Sequence, residues 1–187
     1  MTFVNLLELV KSDDFVVLDT ETTGLGDAEI VQICVMDAYA NTLINTLVKP
    51  VSAIPRDAIQ IHGITNAMVA DCFGWGHWHE AVKQAIGDKS VIVYNADFDR
   101  RMMLQTCLYA GVQDTYWIRL VKWRCAMKHY AQHYGDWSDY HQSYRWKTLE
   151  FACNAENVEF SGGHSAQGDC MSTLRLLRKL AAQLPEK

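Results

Sequence analysis

The sequence predicts an α/β sandwich built around a mixed β-sheet. Three strand-like segments come first, at 14–19, 30–36 and 42–48, and Asn41 marks a turn between the last two. This order predicts an antiparallel meander of strands. Beyond the meander, helical and strand-like segments alternate along the rest of the chain. Such an order is typical of helices packed on both faces of one mixed sheet.

The individual elements follow from apolar spacing and from the residues that start or stop helices. A short amphipathic segment at 1–12 precedes the first strand, and two later strands are expected at 91–94 and 118–121. Residues 135–146, rich in Tyr, Trp, Asp, Ser and Gly, are expected to be irregular. The predicted helices cover 55–61, 65–69 with Thr65 as N-cap, 77–86, 97–109 stopped at Gly111, 125–134, 148–154 and 165–183.

Length and composition predict one folded domain, residues 1–187, that is not inserted in a membrane. The 187 residues are 49% hydrophobic and 21% charged, which is ordinary for a globular protein. No segment approaches the ~18 consecutive apolar residues of a membrane helix, and the chain does not begin with a secretory signal. The six cysteines include no C-x-x-C pair, which favours reduced thiols. We therefore expect a cytoplasmic protein.

The formal net charge of −5 restricts the mode of nucleic-acid binding. Proteins that hold long nucleic acids by their phosphates are usually basic. An acidic chain therefore argues against a broad electrostatic contact surface. Two divalent ions would add four positive charges and bring −5 to −1, so a nucleic-acid substrate is not excluded.

Asp19 and Glu21 are the first residues that indicate a site. They follow the apolar run 15–18 and stand two residues apart, so on a β-strand they point to the same face, whereas Thr20 points away. Two acids on one face of a buried strand need a positive partner. A hard divalent cation is the natural one, because it prefers carboxylate oxygens.

Two further acids and a histidine lie at the starts of predicted helices. Asp99 is in the first turns of the helix after strand 91–94, and Asp169 follows His164 near the start of the last helix. Each acid alone is more typical of a solvated surface group or a helix cap. Sites in open α/β sheets form at the carboxyl ends of strands. Four carboxylates meeting there favour two Mg²⁺ ions and phosphodiester cleavage, with His164 able to move a proton near neutral pH.

The chain resembles the DnaQ-like, DEDDh-type 3′→5′ exonuclease family in four segments, which occur in the order that the family has. Residues 19–25 (D-T-E-T-T-G-L) are similar to its first exonuclease motif. Residues 95–99 (N-A-D-F-D) and 164–169 (H-S-A-Q-G-D) are similar to the second and third motifs, N-A-x-F-D and H-x-A-x-x-D. Residues 61–65 (I-H-G-I-T) match a segment between the first two.

Within that family, residues 66–71 and 99–102 are most similar to exonuclease X, followed by the proofreading epsilon subunit of bacterial polymerase III. The resemblance implies an RNase H-like fold, an α/β mixed five-stranded sheet with flanking helices. It also implies two divalent metal ions, Mg²⁺ or Mn²⁺, and a general base. The implied metal ligands are Asp19, Glu21, Asp99 and Asp169, and the implied base is His164.

The resemblance further implies which residues hold the 3′-terminal nucleotide. Backbone amides near Thr22 and Thr23 would bond the sugar 3′-OH, and Asn95 would orient the loop. Leu25 and Phe98 would press on the base and the sugar, and packing in the core is an equal alternative for both. Asp97 occupies a variable position of its motif and is expected to cap the helix. The implied substrate-binding residues are Thr22, Thr23, Leu25, His62, Asn95 and Phe98.

The function implied is the release of 5′-mononucleotides from DNA 3′ ends that are single-stranded or frayed. The partner would then be a nucleic acid with a free 3′ end. The same chemistry on RNA is an alternative, as is a proofreading subunit bound to a DNA polymerase, and a homodimer is also open. A binding relative without catalysis is disfavoured because all four acids and the histidine are present.

Two further segments carry an open choice. Residues 134–147 combine aromatic rings with a cation, which suits base stacking, but a packed structural loop is equally compatible. Arg100 and Arg101 follow Asp99, and we expect at least one to contact phosphate. The rings in question are Trp137, Tyr140, Tyr144 and Trp146, followed by Lys147.

Overall fold

The main sheet has five strands and is mixed, as predicted. The computed structural model describes residues 3–185, so residues 1 and 2 of the predicted first segment lie outside it. The strands are β1 Phe15–Thr22, β2 Ile30–Asp37, β3 Thr42–Leu47, β4 Ser90–Val93 and β5 Lys122–Cys125. They are arranged in the order β3-β2-β1-β4-β5. β1, β2 and β3 pair antiparallel, whereas β4 pairs parallel with both β1 and β5.

Helices cover both faces of this sheet. The helices are α1 Phe3–Ser12, α2 Arg56–His62, α3 Asn66–Val69, α4 Trp75–Ile86, α5 Ala96–Tyr109, α6 Tyr116–Leu120, α7 Ala126–Tyr134, α8 Leu149–Ala155 and α9 Ala166–Ala182. One buried cluster joins one face of the sheet to α1, α7, α8 and α9. A second cluster joins the opposite face to α4, α5 and α6. The sheet is therefore the middle layer of a three-layer sandwich.

The central strand β1 sets the geometry of everything that follows. Residues 15–18 are fully buried, as expected for a strand that is covered on both faces. Phe15 and Val17 pack into the layer that contains α9, whereas Val16 and Leu18 pack into the layer that contains α5. The same alternation continues into the polar end of the strand. Odd-numbered side chains there face the α9 layer and even-numbered ones face the α5 layer.

Strand β1 extends farther toward the carboxyl edge of the sheet than its parallel neighbour β4 does. β1 pairs with β4 only from Phe15 to Val17, opposite Ser90 to Ile92, while β1 itself continues to Thr22. The acids of β1 therefore lie beyond the last paired residue of β4. This divergence of neighbouring strands leaves space at the carboxyl edge of the sheet, where ligands bind in α/β proteins.

The predicted strand at 118–121 is wrong. Residues 116–120 form helix α6, and the edge strand β5 begins at Lys122. Ile118 is buried beneath the helical layer and accepts a hydrogen bond from Trp123 Nε1. The apolar signal thus belonged to the helix, whereas the short edge strand contains Lys122 and Arg124. The other four predicted strands and the predicted helices are present, and their bounds lie within three residues of the predicted ones.

Three smaller predictions are confirmed. Thr65 is the N-cap of α3, and its hydroxyl accepts a hydrogen bond from the amide of Met68. All six cysteines are free. Residues 135–146 lack long elements but contain a short hairpin, β6 Trp137–Ser138 and β7 Ser143–Tyr144. In the part of the chain that the structure describes, none of the helices has both the length and the apolar character to span a bilayer.

Candidate active site

Three carboxylates meet at the carboxyl end of β1. Asp19 and Glu21 project toward the α9 layer because they are two residues apart on the strand. Asp169 lies in the first turn of α9, which packs against β1 and β2. One oxygen of each carboxylate lies within 4.8 Å of the other two. Within residues 3–185, this is the one group of three or more His, Cys, Asp or Glu side chains with such spacing.

The fourth acid, Asp99, reaches the same strand end from the opposite layer. It lies in the first turn of α5, is 3% exposed, and accepts a 2.7 Å hydrogen bond from Thr20 Oγ1 at its Oδ1 atom. Thr20 lies between the two β1 acids and faces α5, as the alternation of the strand requires. The sequence predicts only that Thr20 points away. Its contact with Asp99 was missed because no local pattern links positions 79 residues apart.

The pKa of each of these four acids is raised. Burial raises the pKa of Glu21 to about 7, and the charges of Asp169 and Asp99 add to the effect. Burial also raises the pKa of Asp99 to about 7, although the hydrogen bond from Thr20 opposes the change. For Asp169, burial raises the pKa to about 6. The pKa of Asp19 lies well above its usual range because of burial and the three neighbouring acids.

The residues present fit divalent cations. In the described chain, no Lys or Arg forms an ion pair with any of the four acids. Asp169 Oδ1 is buried and has no hydrogen-bond partner, which is costly for a carboxylate oxygen unless a cation is near. Carboxylate oxygens are the ligands that Mg²⁺ and Mn²⁺ prefer. Asp19, Glu21 and Asp169 are the three such ligands whose oxygens lie close enough to one another to share an ion.

A glycine allows the third motif to approach this cluster. A Cβ atom at Gly162 would lie 2.1 Å from Asp169 Oδ1 and 2.3 Å from the ring of Phe160. A side chain at this position would therefore displace either the carboxylate or the loop. The helix behind the loop begins regularly, since the hydroxyl of Ser165 accepts a hydrogen bond from the amide of Gly168.

His164 lies at the rim of the cluster on a strained backbone. Its φ of 62° is in the left-handed region, which costs free energy for a residue other than glycine. The side chain is exposed, yet it lines the same cleft as the acids. An exposed imidazole beside four carboxylates is accessible to solvent and to a substrate.

Two adjoining cavities open at the strand end. The first, which we call the acidic cleft, has a volume of about 180 Å³. The second, which we call the side pocket, has a volume of about 220 Å³ and shares Thr20, Glu21 and Phe98 with the first. The acidic cleft is also lined by Asp19, Tyr94, Asn95, Asp99, Leu149, His164 and Asp169, and the side pocket by Thr22, Gly24, Leu25, Asp57, Ala58, Ile61 and His62.

Leu25 and Phe98 border these cavities in different ways. Leu25 is 78% exposed, which excludes the core-packing alternative for it. Phe98 is half-buried and packs partly on the α5 layer. Arg101 links the two, since its Nη2 donates a 2.8 Å hydrogen bond to the Leu25 carbonyl and its guanidinium lies 5.5 Å from the Phe98 ring centroid. Sequence alone suggested a phosphate contact for Arg100 or Arg101 and did not predict this bracing contact.

The two threonines and His62 make mainly internal contacts. The Thr22 hydroxyl donates to the Gly24 carbonyl, and both the amide and the hydroxyl of Thr23 bond the backbone of Glu29. His62 Nδ1 accepts from the amide of Ile64, so Nε2 carries the proton that is donated to the Thr22 carbonyl. Burial lowers the pKa of His62, which keeps this arrangement neutral. Thr22 and His62 thus line the side pocket with these polar groups occupied, whereas Thr23 does not line it.

The remaining predicted positions lie at the start of α5. Asn95 is the N-cap residue, its carbonyl accepts hydrogen bonds from the amides of Phe98 and Asp99, and it lines the acidic cleft. The expectation that Asp97 caps the helix is wrong. Its exposed carboxylate pairs with Lys128 instead, because α7 lies alongside the first turn of α5.

Comparison with known proteins places this geometry in a family. The exonuclease family model (RNase T) matches residues 16–177. The chain is 40% identical over 173 residues to the uncharacterized exonuclease CP81 of Escherichia phage 186, covering 90% of this chain and 89% of that protein. It is 38% identical over 90 residues to exodeoxyribonuclease 10 of Escherichia coli K12, covering 46% of this chain and 39% of that protein.

A solved structure extends the likeness to the fold. Exonuclease X in complex with 5′ overhanging duplex DNA superimposes with a TM-score of 0.63 at 23% identity, covering 90% of this chain and 92% of that one. At this level of identity the similarity concerns the fold alone. The family match, residues 16–177, includes all four acids and His164. The chain belongs to the DnaQ-like family of exonucleases.

Proposed function

We propose that the protein is a metal-dependent 3′→5′ exonuclease of the DEDDh type that releases 5′-mononucleotides from single-stranded or frayed DNA 3′ ends. The single observation that carries this proposal is the group of four acids that, among residues 3–185, has no Lys or Arg partner and in which Asp169 Oδ1 is buried and unbonded. We also propose that residues 1–187 act as one exonuclease domain. The DNA preference is supported by the name of the relative exodeoxyribonuclease 10.

Two divalent ions, Mg²⁺ or Mn²⁺, would be held by these acids. Asp19, Glu21 and Asp169 suit one ion, and Asp19 together with Asp99 suits the second. When bound, the ions would supply an activated water and stabilise charge on the departing oxygen. A bound divalent ion would lower these raised pKa values, because its positive charge takes the place of the protons, which leave to solvent.

The protein's own residues would perform the positioning and the proton transfer. His164 would accept a proton from the attacking water, and its exposed imidazole at the rim of the acidic cleft supports this role. The water oxygen forms a bond to the last phosphorus, and the bond from that phosphorus to the 3′-oxygen of the preceding nucleotide breaks. The terminal nucleoside occupies the side pocket, between the exposed Leu25 and the Phe98 ring. His62, Thr22 and Thr23 keep the shape of this pocket, and Asn95 fixes the turn beside it.

The test is cleavage of 5′-labelled DNA and RNA oligonucleotides, single-stranded, duplex and mismatched, with Mg²⁺ or Mn²⁺ and with a chelator. We expect a ladder that shortens from the 3′ end of DNA, 5′-mononucleotide products and no cleavage with the chelator. Faster cleavage of RNA would overturn the choice of sugar. No cleavage of any substrate would overturn the enzymatic proposal.

A matched pair of variants locates the chemistry. Asp99→Asn should abolish turnover, because it removes a carboxylate from the acidic cleft. Asp97→Asn alters an acid two residues away that is exposed and pairs with Lys128, and it should leave turnover unchanged. Equal activity of the two variants would contradict the assignment of Asp99.

A further inference from the structure

A small hairpin stands beside the acidic cleft and has no role in the function described so far. We call residues 136–147 the aromatic hairpin. Its two strands pair Trp137 with Tyr144 and Ser138 with Ser143. The rings of Trp137 and Tyr144 meet edge to face with centroids 5.1 Å apart, which holds the two strands together.

The aromatic hairpin is rich in planar side chains. Its sequence, D-W-S-D-Y-H-Q-S-Y-R-W-K, contains no aliphatic side chain. Planar groups dominate instead, namely four aromatic rings, an imidazole and a guanidinium. Trp, Tyr and Arg are also enriched at the centres of protein interfaces, so the position of the hairpin beside the acidic cleft, and not its composition, decides the kind of partner. Planar side chains interspersed with hydroxyls and cations are typical of surfaces on which nucleobases stack.

The rings are available because they do not pack into the core. Tyr140 is 90% exposed, Trp146 is 63% exposed and Trp137 is 46% exposed. A packed structural loop, the alternative left open by the sequence, would bury them. A groove of about 570 Å³ lies along this surface and is lined by Ser138, His141, Ser143, Tyr144, Arg145 and Trp146.

The base of the hairpin is firmly anchored. The ammonium of Lys147 lies 2.5 Å from a carboxylate oxygen of Asp136 and 4.9 Å and 5.3 Å from the ring centroids of Tyr134 and Phe151. The amide of Arg145 donates to the Asp136 carbonyl over 2.8 Å. Lys147 is therefore structural. The Arg145 side chain also reaches Asp136, with 3.6 Å between Nη1 and Oδ1, but it is 62% exposed and remains accessible to a phosphate.

The anchor is continuous with the wall of the acidic cleft. The Tyr94 hydroxyl donates a 2.8 Å hydrogen bond to the Lys147 carbonyl, and Tyr94 itself lines the cleft. Leu149, three residues after Trp146, lines the cleft as well. A strand whose 3′ end occupies the cleft thus has an adjoining surface of exposed rings beside it.

We propose that the groove of the aromatic hairpin binds unpaired nucleotides of the strand whose 3′ end is in the acidic cleft. Bases stack on Trp146 and Tyr144, and the Arg145 guanidinium contacts a phosphate. The proposal rests on the proposed function, because it concerns the same substrate farther from the reacting bond. It predicts a binding contribution that depends on substrate length and is tolerant of base sequence.

The test compares KM for a DNA oligonucleotide of about twelve nucleotides with KM for a dinucleotide that is too short to span both surfaces. Trp146→Ala should raise KM for the longer substrate about tenfold, and Trp146→Phe, which retains a ring, should restore most of the loss. Tyr116→Ala is the matched control. Tyr116 is 68% exposed on α6 and lines neither the hairpin groove nor the acidic cleft and side pocket, so its removal should not change KM.

The outcomes separate the two proposals. If the unaltered protein cleaves neither substrate, the proposed function itself is refuted. If it cleaves both and Trp146→Ala matches Tyr116→Ala on the longer substrate, the hairpin proposal is wrong. A change in oligomeric state of Trp146→Ala at unchanged KM, measured by size-exclusion chromatography with light scattering, would overturn it in favour of a contact between two copies of the chain.

Discussion

Replacement of Asp99 by asparagine should stabilise the metal-free protein while it removes activity. The amide has the shape of the carboxylate and still accepts the hydrogen bond from Thr20, but it carries no charge. In the unaltered protein, burial raises the pKa of Asp99 from an ordinary value of 3.8 to about 7. Ionisation of this buried group near neutral pH therefore opposes folding when no cation is present.

The size of the effect follows from linkage. Because the pKa in the folded state is higher than in the unfolded state, the acid stabilises the fold below about pH 4, and this contribution is lost as the pH rises through about 7. A pKa moved from 3.8 to about 7 corresponds to about 4 kcal/mol in the free energy of unfolding. The four acids share protons in the unaltered protein, which relieves part of this cost. We therefore expect Asp99→Asn to gain about 2 kcal/mol near pH 8 and almost nothing near pH 4.

The assay is urea denaturation in the presence of a chelator at both pH values. Asp97→Asn is the control, because its exposed pair with Lys128 should be worth less than about 1 kcal/mol. Mg²⁺ should reverse the order near neutral pH, since it stabilises the unaltered protein more than the variant. A gain for Asp99→Asn that equals the control, or that is as large in acid as in base, would refute the reasoning.

Three further predictions concern the loop and the strand end. His164→Asn should lower kcat by about 10²-fold or more, because it removes the proposed base. The melting temperature should not change, because asparagine tolerates the left-handed backbone at this position. Steady-state kinetics and calorimetry measure the two effects. Gly162→Ala should weaken Mg²⁺ binding in calorimetric titration, because its Cβ would displace Asp169. Gly76→Ala is the control, because a Cβ at this position of α4 would meet no other atom within 4 Å. Equal Mg²⁺ affinities of the two variants would contradict the steric argument. Thr20→Val should lower kcat more than Thr20→Ser does, because only serine retains a hydroxyl for the carboxylate on α5, and equal rates would show that the hydrogen bond is dispensable.

The fold was predictable where one element carries a strong local signal. The apolar run 15–18 predicts a buried strand, and the stripe from Cys170 to Leu177 predicts the face of α9 that packs on the sheet. The prediction failed at 118–121, where a turn of helix and a short edge strand follow each other directly. The edge strand β5 gains its stability from pairing with β4. Its Lys122 and Arg124 interrupt the apolar pattern by which a strand is predicted from sequence.

The candidate site was predictable to the extent that it depends on strand periodicity. A spacing of two residues is sufficient to place Asp19 and Glu21 on one face of the strand. Asp169 stands one position before the apolar stripe of the last helix begins at Cys170, and this position predicts the half-buried side chain that the structure has. The contacts that orient these groups join distant positions. Thr20 bonds Asp99, and Arg101 bonds the Leu25 carbonyl, across 79 and 76 residues. Only tertiary packing creates such pairs.

Gly162 shows how local sequence and tertiary contact combine at the site. In the sequence it is one of two adjacent glycines, and such a pair predicts a flexible loop. In the structure the two have different reasons to be glycine. Gly163 has a φ of 75° with open space around it, so it serves the backbone conformation. Gly162 instead lies against a carboxylate from the next helix, so its missing side chain makes room for Asp169. Of two adjacent glycines that composition alone would call flexible, Gly162 is therefore packed tightly against Asp169, and Gly163 provides the turn.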